Sequence, residues 1–298
     1  MFGLQNNRIV KLQLITALIL SSEYSFASQL KIASWNIEWL DTTPVQRQQK
    51  RSDADYETLA AYARQLDADV IAFQEVADTV SAAKLFSADE YQLFISSRDN
   101  DQKVGYAVRK SLSVKALPEL KALDLHKKQS LRYGLPLTVT TQDGRSLTLL
   151  NVHLKAGCYN NASDKQAKRR KNCQQLDQQI ALVRSWAEQQ GDNPYAILGD
   201  FNRQLKNSRD KYGNRLQNIN LHTTGNNDAS QCYSRRYDKK KRRWTLRNYR
   251  QYIDHILLND SAFSTLQPDS FRQHTFAKDS VLKHYLSDHC AISVQLTL

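Results

Sequence analysis

The sequence predicts an α+β fold in which mixed, mainly antiparallel sheets pack on one another with helices outside. Three observations carry this. Short apolar runs of strand length recur along the chain, interrupted by only a few helical patterns. Asp143-Gly144 separates two alternating runs, 135–140 and 147–152, which is a strong hairpin signal. Several strands follow one another with no helix between them, which excludes an all-parallel sheet because parallel neighbours need long crossovers.

The elements follow in order. Residues 31–36 read as a strand. Residues 52–66 read as a helix, with Leu59, Ala60, Ala63 and Leu66 at helical spacing and Ser52 or Asp53 as N-cap. Val70-Ile71-Ala72-Phe73 reads as a central strand, and 91–95 and 104–108 as successive strands. Residues 163–190 form a long polar helix, with a break expected near Cys173 and an end at Gly191. Segments 195–198, 252–258 and 290–296 complete the strands. Residues 203–250 are polar, basic and poor in apolar runs, so they read as a long surface excursion. There are no repeats and no Ser/Gly/Pro-rich linker, so 28–298 is expected to be one domain.

The N-terminus reads as a secretory signal. Arg8 and Lys11 precede a short apolar run, 12–20, and Ser25-Phe26-Ala27 is a small-x-small cleavage site. The run is too short to span a bilayer. The expectation is a signal peptide over 1–27, a secreted or periplasmic chain from Ser28, and no stable membrane insertion. Export makes disulfides the expected state of Cys158, Cys173, Cys232 and Cys290. Three pairings are open, of which Cys158–Cys173 with Cys232–Cys290 is favoured.

The formal net charge is +12 and the pI about 9.5. Two blocks carry it. Segment 233–250 holds nine Lys/Arg against Asp238, and 155–172 holds six against Asp164. Charge gathered in two blocks points to a polyanionic partner. The candidate contacts are Lys155, Lys168, Arg169, Arg170, Arg235, Arg236, Lys239, Lys240, Lys241, Arg242, Arg243 and Trp244. Tyr233, Tyr237, Trp244 and Tyr249 are interleaved with these cations, which suits a backbone-plus-stacking mode of nucleic-acid binding.

Polar residues recur at the ends of the predicted strands. Asn36 and Glu38 follow Ile32-Ala33-Ser34-Trp35. Glu75 follows the Val70 run, and His153 and Lys155 follow Leu149-Leu150-Asn151-Val152. Asp200 and Asn202 lie in Gly199-Asp200-Phe201-Asn202. Asp254-His255 interrupts an apolar run, and Asp288-His289 precedes the last strand. Buried carboxylates, amides and imidazoles cost desolvation energy unless they are paired or hold an ion.

This ordered set resembles the endonuclease/exonuclease/phosphatase superfamily, in its branch similar to pancreatic deoxyribonuclease, over about residues 31–297. The resemblance implies a four-layer α/β/β/α sandwich and metal-dependent phosphodiester hydrolysis. It implies Glu75 as principal metal ligand, with Asn36, Glu38 and Asp288 on the metal side. It implies Asp200 and Asn202 as the pair orienting nucleophile and phosphate, and His289 as the essential histidine with Asp254 as its carboxylate partner. His153 matches a histidine of the deoxyribonuclease and sphingomyelinase branches. His289 is assigned as general base or phosphate contact and His153 as general acid, roles that are interchangeable at this stage. The glutamate that supports the second histidine in that branch is missing near 99–103, where Asp101 is the candidate substitute. His255 is read as structural. His126, His222, His274 and His284 receive no role.

Oxygen donors favour Mg²⁺, with Mn²⁺ or Ca²⁺ as alternatives. The expected function is a secreted nuclease, with DNA the first substrate, cutting internally to leave 5′-phosphate and 3′-hydroxyl ends. A phospholipid phosphodiesterase of the sphingomyelinase type and a non-catalytic nucleic-acid-binding protein are the alternatives. The partner is nucleic acid, DNA or RNA. No obligate protein partner is indicated, and a monomer is expected.

Overall fold

The computed structural model describes residues 28–43, 50–125, 131–158, 167–225 and 228–298. The expected signal peptide, His126 and the basic residue Lys165 lie outside them. The chain runs β1 (Gln29–Leu40), α1 (Asp53–Leu66), β2 (Val70–Val76), α2 (Thr79–Ala83), β3 (Tyr91–Ile95), β4 (Lys103–Arg109), β5 (Ser113–Ala116), β6 (Leu135–Thr140) and β7 (Ser146–His153). It continues through α3 (Ala167–Gln190), β8 (Tyr195–Asp200), α4 (Lys211–Gln217), β9 (His222–Thr223), β10 (Cys232–Asp238) and β11 (Arg243–Tyr249). It ends with β12 (Asp254–Leu258), α5 (Asp260–Phe263), β13 (Arg272–Gln273), α6 (Lys278–Lys283) and β14 (Ile292–Thr297).

Two six-stranded sheets result, ordered β13-β14-β1-β2-β4-β3 and β5-β6-β7-β8-β12-β9. Among the described residues, β1–β2 and β7–β8 pair in parallel and every other neighbour is antiparallel. Helices α1 and α3 are the crossovers that those two parallel pairs require.

Period-2 alternation divides the core into three apolar layers. In β1, Leu30 and Ile32 face the second sheet while Ala33, Trp35 and Ile37 face α1. In β8, Ala196 and Leu198 face the first sheet while Tyr195 and Ile197 meet α3 and α4. Helix α1 supplies Leu59, Ala63 and Leu66 to one outer layer, and α3 supplies Leu176, Ile180 and Val183 to the other. This is the expected four-layer α/β/β/α sandwich. Each sheet is apolar on both faces, which is why its central strands read as near-continuous apolar runs.

Local signals explain the element ends. Ser52 caps α1 and forms a capping box with Asp55. Gly144 takes the positive φ of the β6–β7 turn. The long helix α3 runs unbroken through Cys173, so the expected break is absent. Segment 203–250 is more ordered than its composition implied, because it holds α4, β9 and the β10–β11 hairpin. Both disulfides, Cys158–Cys173 and Cys232–Cys290, take the favoured pairing.

Candidate active site at the ends of the central strands

The two parallel pairs, β1–β2 and β7–β8, point their carboxyl ends to the same edge of the sandwich, where ligands bind in sheets of this kind. That edge collects Asn36, Glu75, His153 and Asp200. Antiparallel β12 begins there, with Asp254 opposite Asp200. The loop before β14 delivers Asp288 and His289 to it. Glu38, Trp39, Glu75 and Asn202 all have positive φ, and the registers of β1–β2 and β2–β4 shift at the first three. Such strained, bulged backbone re-aims side chains at strand ends. Gly199 is needed because a Cβ there would sit 1.9 Å from the Val152 carbonyl oxygen. Its absence lets β7 and β8 bring His153 and Asp200 side by side.

Asp200 is the hub. Asn36 Nδ2 donates to Asp200 Oδ2 at 3.1 Å and to Glu75 Oε1 at 3.2 Å. His153 Nε2 lies 3.4 Å from Asp200 Oδ2 and 3.8 Å from Glu75 Oε1. The Asn202 backbone N–H donates to Asp200 Oδ1 at 2.8 Å, and Asn202 Nδ2 donates to the Leu154 carbonyl at 3.1 Å. His289 Nε2 is 3.9 Å from Asp200 Oδ2 and 3.7 Å from Asp288 Oδ1. On its other side, His289 Nδ1 is 2.7 Å from Asp254 Oδ2.

The two histidines sit in opposite electrostatic surroundings. Burial, then the charges of Arg132, His289 and Arg98, push His153 well below the usual imidazole range. Burial also acts most strongly against charge on His289, but Asp254, Asp200 and Asp288 together outweigh it and hold this ring well above that range. Burial raises the Asp200 carboxyl to about 7, against the pull of His289. Burial and the neighbouring Asp288 raise Glu38 to about 8.

Several residues at this edge carried no sequence motif. Gln102 Nε2 donates to Glu75 Oε2 at 2.9 Å, and Gln102 Oε1 accepts from Arg132 at 2.6 Å. Arg132 lies near Glu75 and Asp200, with its Nε unpartnered among the described residues. Arg51 joins the loops that carry Glu38 and Asp288. Their partners are far away in sequence, so no local spacing announces them. Asp101 is exposed, and His153 Nδ1 has no hydrogen-bond partner among the described residues. Asp101 therefore does not replace the missing glutamate. His255 points away from the centre, with Nε2 2.7 Å from the Arg203 carbonyl and its ring against Phe201, as a structural histidine should.

The donor set fits a hard divalent cation. Among the described residues, Asp200, Asp254 and His289 bring possible ligand atoms within 4.8 Å of one another, but a protonated His289 has no lone pair to offer, so the carboxylate oxygens are the donors. Glu38, Glu75 and Asp288 add further carboxylates. Burial is the first cause that raises the Glu38 and Asp200 carboxyls, with Asp288 adding to the former and Asp254 to the latter; a cation would oppose both effects.

A groove of about 940 Å³ adjoins this centre, and its lining includes Asn202, Asp254, Asp288 and His289 together with Arg247 and Tyr249. The β10–β11 hairpin supplies the last two. Its turn exposes Lys239, Lys240, Lys241 and Arg242, its strands expose Arg236 and Arg243, and Trp244 is 39% exposed beside Tyr237. Arg235 differs from these cations: it is half-buried, stacked on Trp244 and Tyr285. The Cys232–Cys290 bridge ties the hairpin to the residue after His289. Lys155 is partly buried beyond His153, Arg170 is exposed on α3, and Lys168 and Arg169 lie in the first turn of that helix.

Comparison with known proteins agrees with this architecture. D. rerio TDP2 complexed with single-strand DNA product is 22% identical, with a TM-score of 0.62, covering 91% of this chain and 100% of the other. A Neisseria 3′ phosphatase, NExo, bound to product DNA hairpin is 15% identical, with a TM-score of 0.58 and coverage of 90% and 100%. An endonuclease/exonuclease/phosphatase family protein from Bacteroides thetaiotaomicron is 15% identical, with a TM-score of 0.58 and coverage of 90% and 97%. At these identities the likeness establishes the fold. No curated protein matches the chain significantly. The family signature itself spans residues 33–289, from β1 to His289. By that match, this chain belongs to the Endonuclease/Exonuclease/phosphatase family.

Proposed function

We propose that the protein is a secreted, divalent-metal-dependent nuclease that hydrolyses internal phosphodiester bonds of nucleic acid, with DNA as first substrate, leaving 5′-phosphate and 3′-hydroxyl ends. The observation that carries this reading is the ring of Asn36, His153, His289 and Asn202 around Asp200, beside a groove flanked by a basic hairpin. The TDP2 and Neisseria structures with bound DNA support a nucleic-acid substrate.

Glu75, Asn36, Glu38 and Asp288 would hold the ion, with Mg²⁺ the first candidate and Mn²⁺ or Ca²⁺ the alternatives. When bound, the ion neutralises charge on the phosphate oxygens. The side chains do the rest. Asp200, held between Asn36, His153 and the Asn202 N–H, is placed to take a proton from the attacking water. Asn202, fixed by Leu154, offers its second amide N–H to the phosphate. His289, kept cationic by Asp254, donates to a phosphate oxygen. His153 is neutral and orients Asp200 from its other side. This reading replaces the general-acid role expected for His153 and takes the phosphate-contact option for His289. The signal peptide at 1–27, a single catalytic domain over 28–298 and a monomeric state complete the proposal. Two disulfides, and the lack of any helix among the described residues long and apolar enough to cross a membrane, are compatible with it.

The test is hydrolysis of supercoiled plasmid with Mg²⁺, with and without EDTA. Nicking that needs the metal and falls at least about 100-fold in Glu75→Ala supports the reading. Absence of cleavage with Mg²⁺, Mn²⁺ and Ca²⁺ removes it and brings RNA and sphingomyelin forward as substrates.

A further inference from the structure

Arg51 has no place in the chemistry just described, yet it is one of the most heavily bonded side chains of the protein. It is 9% exposed and donates to five main-chain carbonyls. Nη1 reaches the Trp39 oxygen at 2.8 Å. Nη2 reaches those of Ile37, Glu38 and Leu286 at 3.0, 2.6 and 2.8 Å, and Nε reaches that of Tyr285 at 3.1 Å. These carbonyls come from two loops far apart in sequence. One is the bulge after Asn36 that carries Glu38. The other is the 285–288 loop that ends in Asp288.

The geometry has a backbone cause. Glu38 and Trp39 are consecutive left-handed residues, with φ of 47° and 52°. Such a bend turns successive carbonyls inward, and buried carbonyls must find donors. A planar guanidinium with five N–H groups can meet carbonyls from both loops at once; an ammonium cannot. The start of α1 grips the second loop again, because Asp55 Oδ1 accepts from the Tyr285 N–H at 2.9 Å. The Tyr285 ring meets two cations, with Arg51 4.3 Å and Arg235 4.7 Å from its centroid. The basic hairpin is thereby seated on the same assembly through Arg235.

We infer that Arg51 is a positioning residue that fixes the Glu38 and Asp288 loops relative to one another and so sets the affinity of the metal-side carboxylates for a divalent cation. The inference rests on the divalent-metal reading above. Arg51 touches neither cation nor substrate; it acts through the two loops. Residues that orient metal ligands in this way typically govern affinity by 10- to 100-fold.

The test is calorimetric titration of Mn²⁺ into the purified protein, without substrate, for wild type and Arg51→Lys. The Mg²⁺ requirement for plasmid cleavage and the thermal midpoint are measured alongside. Arg51→Lys keeps the charge and loses the fork. The expected result is a Mn²⁺ dissociation constant raised about 10-fold or more, and a Mg²⁺ requirement raised in parallel by more than the maximal rate falls. A folded Arg51→Lys that binds Mn²⁺ within about 2-fold of wild type overturns the inference and leaves the nuclease reading intact. If Arg51→Lys does not fold, Asp55→Asn loosens the same loop from its other anchor. A rise in its Mn²⁺ dissociation constant of about 3-fold supports the inference, and an unchanged constant overturns it. A wild type that binds no divalent cation removes both readings.

Discussion

Asp254→Asn isolates the charge behind His289 while keeping the shape of the pair. The His289 Nδ1 to Asp254 Oδ2 distance is 2.7 Å, and both side chains are largely buried. With charge centres about 4 Å apart and an effective dielectric of about 20, the two attract by about 4 kcal/mol. If half of that attraction persists in the reacting state, its loss slows the reaction about 30-fold; if all of it does, about 1000-fold. The pH dependence gives the sharper sign. Burial works against a charged His289, and Asp254 is the largest influence opposing burial. Without that carboxylate the ring loses its proton at lower pH. The variant should therefore be most impaired above neutrality and recover in part between about pH 5.5 and 6.5, where an ordinary imidazole is still charged. The assay is kcat/KM on a short labelled duplex across pH 5.5 to 8.5 at saturating Mg²⁺. An alkaline limb that stays where the wild type has it refutes the reasoning, because His289 would then not be held as an imidazolium by Asp254.

Two further outcomes follow from the charge map and from a buried ring. Replacing Lys239, Lys240, Lys241, Arg242 and Arg243 by Gln should weaken duplex binding in a Glu75→Ala background and flatten the log–log salt slope by up to about 4 to 5 units; an unchanged slope means that the hairpin turn does not meet phosphates. His255 is buried, and its imidazole is lowered to about 4 by that burial. The unfolded chain therefore binds the extra proton between about pH 6.5 and pH 4, so stability is full above about 6.5 and falls by about 3 kcal/mol as pH drops through that window. His255→Gln should show a flatter urea midpoint between pH 7.5 and pH 4, and identical pH dependence in the two proteins would remove this account.

Much of the site was legible because its residues occupy strand ends. An apolar run that stops at Asn36, Glu75, His153 or Asp200 marks both the strand and the polar group at its edge. Arg51, Gln102 and Arg132 were not legible. Their significance depends on partners 12 to 235 residues away in sequence for Arg51, and 27 and 30 residues away for Gln102. The β10–β11 hairpin was missed for a different reason. Its strands alternate polar with polar, and its turn is built of cations capped by Asp238 rather than an Asn-Gly pair. A two-stranded ribbon of that kind is marginal alone. What fixes it is remote: the bridge to Cys290, the Arg235 stack on Tyr285, and Lys278 over the Tyr233 ring.

The sequence by itself determined the two-sheet architecture, the order of its strands' polar ends and the location of the basic charge. Those follow from period-2 burial and from composition, which are local properties of the chain. The resemblance had already set Asp254 behind His289. Only the tertiary structure decided the surroundings of His153, because they depend on which groups lie within a few ångströms in a medium of low dielectric. Burial, then Arg132, His289 and Arg98, holds that ring below its usual range. The spacing of these residues along the chain contains no sign of those guanidiniums.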